Sequence, residues 1–154
     1  MAENNLFKSS LQRAMAICAG GEHSGGDIRR KLSSWGISGK DADEILQILV
    51  KENFINDKRY ASAYISDKLR YNKWGKIKIS SQLKLKGISD EIIKSSMNEI
   101  DEQRYQEMIK EVISSYRRRA KAKNQYDLKG KLMRFGLSRG YENHLLYDII
   151  NDLE

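Results

Sequence analysis

Two runs of cations are the residues whose type and spacing could do chemistry. One is Lys73-Trp74-Gly75-Lys76-Ile77-Lys78, continuing to Lys84 and Lys86 and extended backward by Arg70. The other is Arg117-Arg118-Arg119-Ala120-Lys121-Ala122-Lys123. Their chemistry is anion binding rather than bond breaking. Arginine offers a planar fork to carboxylate or phosphate, and lysine a compact point charge. Five positive charges within the seven residues 117–123 repel one another, a cost that a nearby anion relieves. If residues 76–86 are helical, Ile79 and Leu83 face a core while Lys76 and Lys84 fall on another side, with Ser80 between them. The blander readings are a solvated helix face for the first run and a helix end complementing its dipole for the second. Trp35 and Trp74 could stack on bases, although Trp35, one residue before a glycine, also suits packing.

Other chemistries find no residues to carry them. His23 and His144 lie far apart with no neighbouring cysteine, so a zinc site is not expected. Cys18 sits on an apolar helical face as a small core residue. As the chain's single cysteine it forms no internal disulfide, consistent with a reducing cytoplasm. Lys129-Gly130-Lys131 lacks the earlier glycine of a phosphate-binding loop. A small nuclease would need clustered carboxylates or histidines, and none is evident. No enzyme, metal or cofactor is expected. Met1–Gln12 lacks the basic-then-apolar pattern of a signal peptide, and no apolar stretch suits a membrane, so a soluble cytoplasmic protein is expected.

The elements that position these cations follow from spacing. The chain has no proline and 11 glycines, a composition for helices ended by glycine turns. No stretch alternates apolar and polar residues convincingly, so strands are not expected. Three segments align without gaps: Ile28-x3-Leu32-x3-Gly36-Ile37-Ser38, Ile79-x3-Leu83-x3-Gly87-Ile88-Ser89 and Leu128-x3-Leu132-x3-Gly136-Leu137-Ser138. Their glycines are 51 and 49 residues apart, and an apolar residue follows each by thirteen, at Leu49, Ile100 and Ile149. Apolar residues four apart share a helix face. Each glycine suits the left-handed position past a helix end, and each serine suits the next N-cap, with Ser38-x-x-Asp41 spaced as a capping box.

A further amphipathic helix precedes each pair: Leu6, Leu11, Ala14, Met15 and Cys18; Tyr60, Tyr64, Ile65 and Leu69; Tyr105, Met108, Ile109, Val112 and Tyr116. The expected fold is all-α, three tandem three-helix repeats of about fifty residues at 1–54, 55–103 and 104–154. A unit this short buries only about 60% of its unfolded surface, so neighbours should share packing in an elongated, curved array roughly 75 Å long. The net charge of +7 is uneven: residues 1–55 carry seven basic and seven acidic side chains, 56–103 ten and seven, 104–154 eleven and seven. The positive field lies in the second and third repeats, which points to a polyanionic partner.

In the middle repeat, Phe54-Ile55-Asn56-Asp57-Lys58-Arg59-Tyr60-Ala61, then Trp74-Gly75-Lys76, then Leu83 and Lys86-Gly87-Ile88 stand in a fixed order. Together they resemble the signature of the RecX family of bacterial RecA regulators. Asn56 stands where the family pattern has the first residue of an acidic pair. In the signature, Asn56 or Asp57 caps a helix and Tyr60 packs inward. The resemblance implies a monomeric, non-enzymatic protein that lies in the groove of the RecA–single-stranded DNA filament. It would restrain strand exchange and ATP hydrolysis in DNA repair, recombination and the SOS response. The expected partner contacts are Arg70, Lys73, Lys76, Lys78, Lys84, Lys86, Arg117, Arg118, Arg119, Lys121 and Lys123. The alternative is a stand-alone binder of single- or double-stranded DNA.

Overall fold

The structure, a computed structural model, describes residues 2–153, with side chains from Asn5 onward. Among the described residues the chain is helical throughout: α1 Ala2–Ala19, α2 Gly25–Ser34, α3 Gly39–Lys51, α4 Asp57–Asp67, α5 Lys76–Leu85, α6 Asp90–Met97, α7 Glu102–Arg119, α8 Gln125–Arg139 and α9 Asn143–Asp152. A single π-helical turn, Lys68–Asn72, extends α4.

The helix starts follow from local chemistry. Ser24, Asp101 and Asn124 each cap a helix by accepting a backbone N–H three residues on. At α4 the cap is Asn56, whose side-chain oxygen accepts the Arg59 N–H at 2.9 Å. Asp57 is thereby released for another task. The capping box expected at Ser38 does not form, because the Ser38 side chain makes no capping hydrogen bond.

The helix–turn–helix joints share one motif. Gly36 and Gly87 adopt φ of +90° and +84°. The following Ile37 and Ile88 donate their N–H groups to Leu32 and Leu83, at 2.8 and 3.1 Å. In the third repeat the expected register is wrong by one helical turn. Gly136 and Ser138 lie inside α8, and the left-handed glycine is Gly140 at φ +90°, with Tyr141 donating to the Gly136 carbonyl at 3.1 Å. Ser138 is not a cap; its hydroxyl donates to the Phe135 carbonyl. Gly136 is nonetheless needed as glycine, because the Leu146 side chain lies 2.3 Å from where its Cβ would stand.

The chain divides into two compact units, Met1–Tyr64 with Leu83–Lys94 and Ile65–Gln82 with Ser95–Glu154. In the first, α1, α2 and α3 bury Ala14, Ile28, Leu32, Ile37, Ala42, Ile45, Leu49 and Ile55, with Trp35 and Phe54 at the margin. In the second, α7, α8 and α9 bury Tyr105, Ile109, Ile113, Leu132, Tyr141, Leu146, Ile149 and Ile150. Each buried Leu or Ile contributes about 1.5–3 kcal/mol. The surface ion pairs contribute about 0–1 kcal/mol apiece, so these two cores outweigh them.

Candidate functional site

The π turn ends at Lys73, whose φ of +56° is left-handed and strained by about 1–2 kcal/mol for a side-chain-bearing residue. Its carbonyl accepts the buried Tyr141 hydroxyl, which holds the turn. Burial pushes the Tyr141 phenol up to about 12, so this donor stays protonated. Beyond it, Gly75 donates to the Arg139 carbonyl at 2.7 Å and Ile77 to the Gly140 carbonyl at 3.0 Å. The Arg139 guanidinium donates to the Asn72 carbonyl at 2.8 Å. A Cβ on Gly75 would stand 2.2 Å from the Gly140 oxygen, so only glycine fits. The start of α5 is therefore joined to the α8–α9 turn by main chain.

Lys76, the centre of the expected basic stripe, is committed inside its own unit. Its N–H donates to the Tyr105 hydroxyl at 2.9 Å, and its ammonium meets the Glu102 carboxylate at 2.5 Å and lies 4.6 Å from the Tyr105 ring. The hydrogen bond from Lys76 holds the Glu102 carboxyl below its usual range, against a small burial effect. The Tyr105 hydroxyl in turn donates to Glu142, and burial, then that bond, pushes its ionisation far up.

The other expected cations sort by exposure. Arg70 is exposed with its guanidinium 5.3 Å from the ring of Tyr71, itself 70% exposed. Lys78 is half-buried, and its ammonium stands 4.6 Å from the Trp74 ring, which Lys68 also approaches at 4.8 Å. Lys84 is exposed and loosely paired with exposed Asp90 at 3.4 Å. At the end of α7, Arg117 is turned inward, donating to the Leu153 carbonyl at 2.6 Å, while Arg118 and Arg119 are exposed. Lys121 and Lys123 are exposed beyond the helix. The α7 cluster thus presents Arg118, Arg119, Lys121 and Lys123, and spends Arg117 on structure.

In the first unit, Lys86 leans toward Tyr64 at 5.9 Å, and its carbonyl accepts the Ser24 hydroxyl at 3.2 Å. A Cβ on Gly26 would lie 2.4 Å from the same carbonyl. Asp57 accepts the Gly25 N–H at 3.0 Å, and Arg59 pairs with Glu22 at 2.5 Å. Tyr60 is buried and its phenol pushed up to about 12, by burial and then by the Asp27 charge. Burial opposes ionisation of Asp27, yet the Arg30 hydrogen bond, the Lys86 charge and Ser24 hold its carboxyl below the usual range. Most of the signature is therefore joinery. Ile55, Ala61, Leu83 and Ile88 are core, while Asp57, Arg59, Gly75 and Gly87 set backbone joints.

Sequence reasoning missed Arg139, which clamps Asn72, and an α8–α9 groove bearing Tyr126 and Tyr147. Neither tyrosine carried a decisive signal: Tyr126 stands between Gln125 and Asp127, but Tyr147 follows Leu145-Leu146 and precedes Asp148-Ile149. Cys18 is half-buried, and burial, then the Glu22 charge, pushes its thiol up, away from nucleophilic use. Among the described residues no cluster of ligating side chains could hold a metal ion, and no helix is long and apolar enough to cross a membrane.

A family model described as "RecX, second three-helix domain" matches residues 56–97, the stretch that holds these joints. The Regulatory protein RecX of Clostridium beijerinckii is 29% identical over 152 residues, covering 97% of this chain and 70% of that protein. The chain is thus similar to RecX regulatory proteins. The Regulatory protein RecX of Clostridium perfringens is 33% identical over 129 residues, 82% of this chain and 58% of its own length. That of Lactobacillus johnsonii is 26% identical over 145 residues, 94% and 54%. The chain therefore spans between 54% and 70% of the length of these relatives. The crystal structure of RecX from Lactobacillus salivarius superposes with a TM-score of 0.88 at 21% identity, covering 97% of each chain. A second RecX crystal structure gives the same TM-score at 20% identity, over 98% of this chain and 75% of the other. These likenesses are of fold.

Proposed function

We propose that this chain binds the RecA–single-stranded DNA filament and restrains RecA, lowering its ATP hydrolysis and strand exchange in DNA repair, recombination and the SOS response. The single observation that carries the reading is the match of residues 56–97 to the second three-helix domain of RecX proteins. The charge distribution supports it, since residues 56–154 hold the whole positive excess. The contacts proposed for the partner are the exposed cations Arg70, Lys73, Lys84, Arg118, Arg119, Lys121 and Lys123, with Lys78 and Lys86 at the margin. Lys76 and Arg117 serve the fold that presents them.

The working units on this reading are three repeats, 1–54, 55–103 and 104–154, acting as a monomer in the cytoplasm. Modest contacts from each repeat add through effective concentration, so no single one need be strong. The protein acts by occupying space and charge rather than by catalysis. No cofactor enters.

RecA ATPase on single-stranded DNA, measured with substoichiometric amounts of this protein, tests the reading. Hydrolysis should fall, and the triple variant Lys84→Glu, Arg118→Glu, Arg119→Glu should need about tenfold more protein for the same effect, as expected for losing a few charge contacts. Unchanged hydrolysis together with no co-sedimentation on the filament would sink it. Equal affinity for DNA without RecA, with a steep salt slope, would favour a stand-alone DNA binder instead.

A further inference from the structure

Tyr126 is 89% exposed and Tyr147 64% exposed, the first on α8 and the second on α9. Neither ring contributes to a core, and both line one groove of about 440 Å³ within the second compact unit. Met133 and Ile150 also line it, and its cations are Lys123, Lys129 and Arg134. Gly130 leaves room there for Arg134, whose guanidinium lies 3.3 Å from where a Cβ would stand. The groove's carboxylate, Asp127, is already engaged by the Lys131 ammonium at 3.5 Å and the Lys123 N–H at 3.0 Å, so the positive balance of the lining stands.

Two solvent-facing phenol rings beside three cations match a strand with flat bases and regularly spaced phosphates. Ring stacking tolerates any base, and the cations supply sequence-independent attraction. A duplex keeps its bases stacked on one another and cannot offer their faces. An acidic peptide would satisfy the cations but leave both rings unmatched.

We propose that this groove binds single-stranded nucleic acid, with bases stacked on Tyr126 and Tyr147 and phosphates against Lys123, Lys129 and Arg134. The site deepens the proposed function by giving the third repeat a direct contact to the strand. It is tested without RecA, so its failure leaves the RecA reading standing and the reverse also holds.

The experiment is fluorescence anisotropy of a short labelled oligothymidylate with the full chain, beside a labelled duplex and a labelled polyglutamate peptide. The single strand should bind more tightly than either. The double variant Tyr126→Ala, Tyr147→Ala should weaken it by about tenfold or more, while Tyr126→Phe, Tyr147→Phe should retain affinity because the ring faces remain. Arg134→Ala should weaken binding and flatten its salt dependence. Wild-type affinity in the double alanine variant, or duplex or polyglutamate bound as tightly as the strand, would overturn the site. Photocrosslinking of 5-iodouracil oligonucleotide provides a second readout: adducts on Tyr126 or Tyr147 support the site, and adducts confined to other regions overturn it.

Discussion

Lys76 illustrates how a residue that looks like a ligand in sequence can be a clamp in the fold. Its ammonium is within 2.5 Å of Glu102, a residue 26 positions away, and its side chain is only 23% exposed. Nothing local to Lys73–Lys78 announces that partner, so the stripe reads as uniformly basic until the chain is folded. Lys84, 61% exposed and 3.4 Å from Asp90, is the contrasting case. Lys76→Ala should lower the melting temperature by about 2–4 °C, from a loss near 1 kcal/mol, and Lys76→Glu by more because it sets a carboxylate against Glu102. Lys84→Glu should leave the melting temperature within about 1 °C while weakening partner binding. Thermal melts followed by circular dichroism separate the two. Equal shifts for both variants would return Lys76 to the surface.

At the scale of elements, the two-helix joints around Gly36 and Gly87 were legible, because each glycine follows an apolar pair and precedes an isoleucine that folds back. The third was misread by four residues. Gly136-Leu137 and Gly140-Tyr141 both fit the local rule, and the choice between them is made by tertiary neighbours: Leu146 against Gly136, and Lys78 against Gly140. Local chemistry carries no record of either. Alanine substitutions should rank accordingly. Gly36→Ala meets only a Leu6 methyl at 3.8 Å, so it should cost about 1 kcal/mol for its positive φ. Gly140→Ala adds a clash at 2.3 Å with the Lys78 Cβ, and Gly75→Ala one at 2.2 Å with a main-chain oxygen. No rotamer change relieves either clash, so Gly140→Ala should cost about 1–3 kcal/mol more than Gly36→Ala, and Gly75→Ala, which carries no positive-φ penalty, about 1–3 kcal/mol in all. Urea midpoints measure the order, and a Gly36→Ala variant as unstable as Gly140→Ala would contradict the joint described here.

For the molecule as a whole, the all-helical class and the tilt of charge toward residues 56–154 were readable from composition, and buried residues such as Ile28, Leu32, Ile79, Leu83, Ile109 and Leu132 from spacing. The exposed rings of Tyr126 and Tyr147 were not, since exposure is decided by what packs elsewhere. Among the carboxylates kept ionised by the fold are Asp27 in the first unit, whose ordinary value is 3.8, and Glu102 in the second, whose ordinary value is 4.5. A depressed folded value means that the stability each contributes is complete above those ordinary values and is lost as pH falls through the lowered ones. Stability should therefore fall on acidification below about pH 4.5, and the slope should be shallower in Asp27→Asn and in Glu102→Gln. Chemical denaturation across an acid series reads this directly. Identical slopes in the wild type and both variants would remove these two groups from the acid response.

The joints at Gly26 and Gly75 press peptide against peptide, with almost no side chain in between. Such a seam asks little of the residues around it beyond smallness at one point, so the surrounding sequence is free to drift. A chain sharing about a fifth of its residues with another protein can then keep the same helix placement, as the superposition at a TM-score of 0.88 records. The same economy frees the outward faces to be rewritten for a different partner while the scaffold stays put.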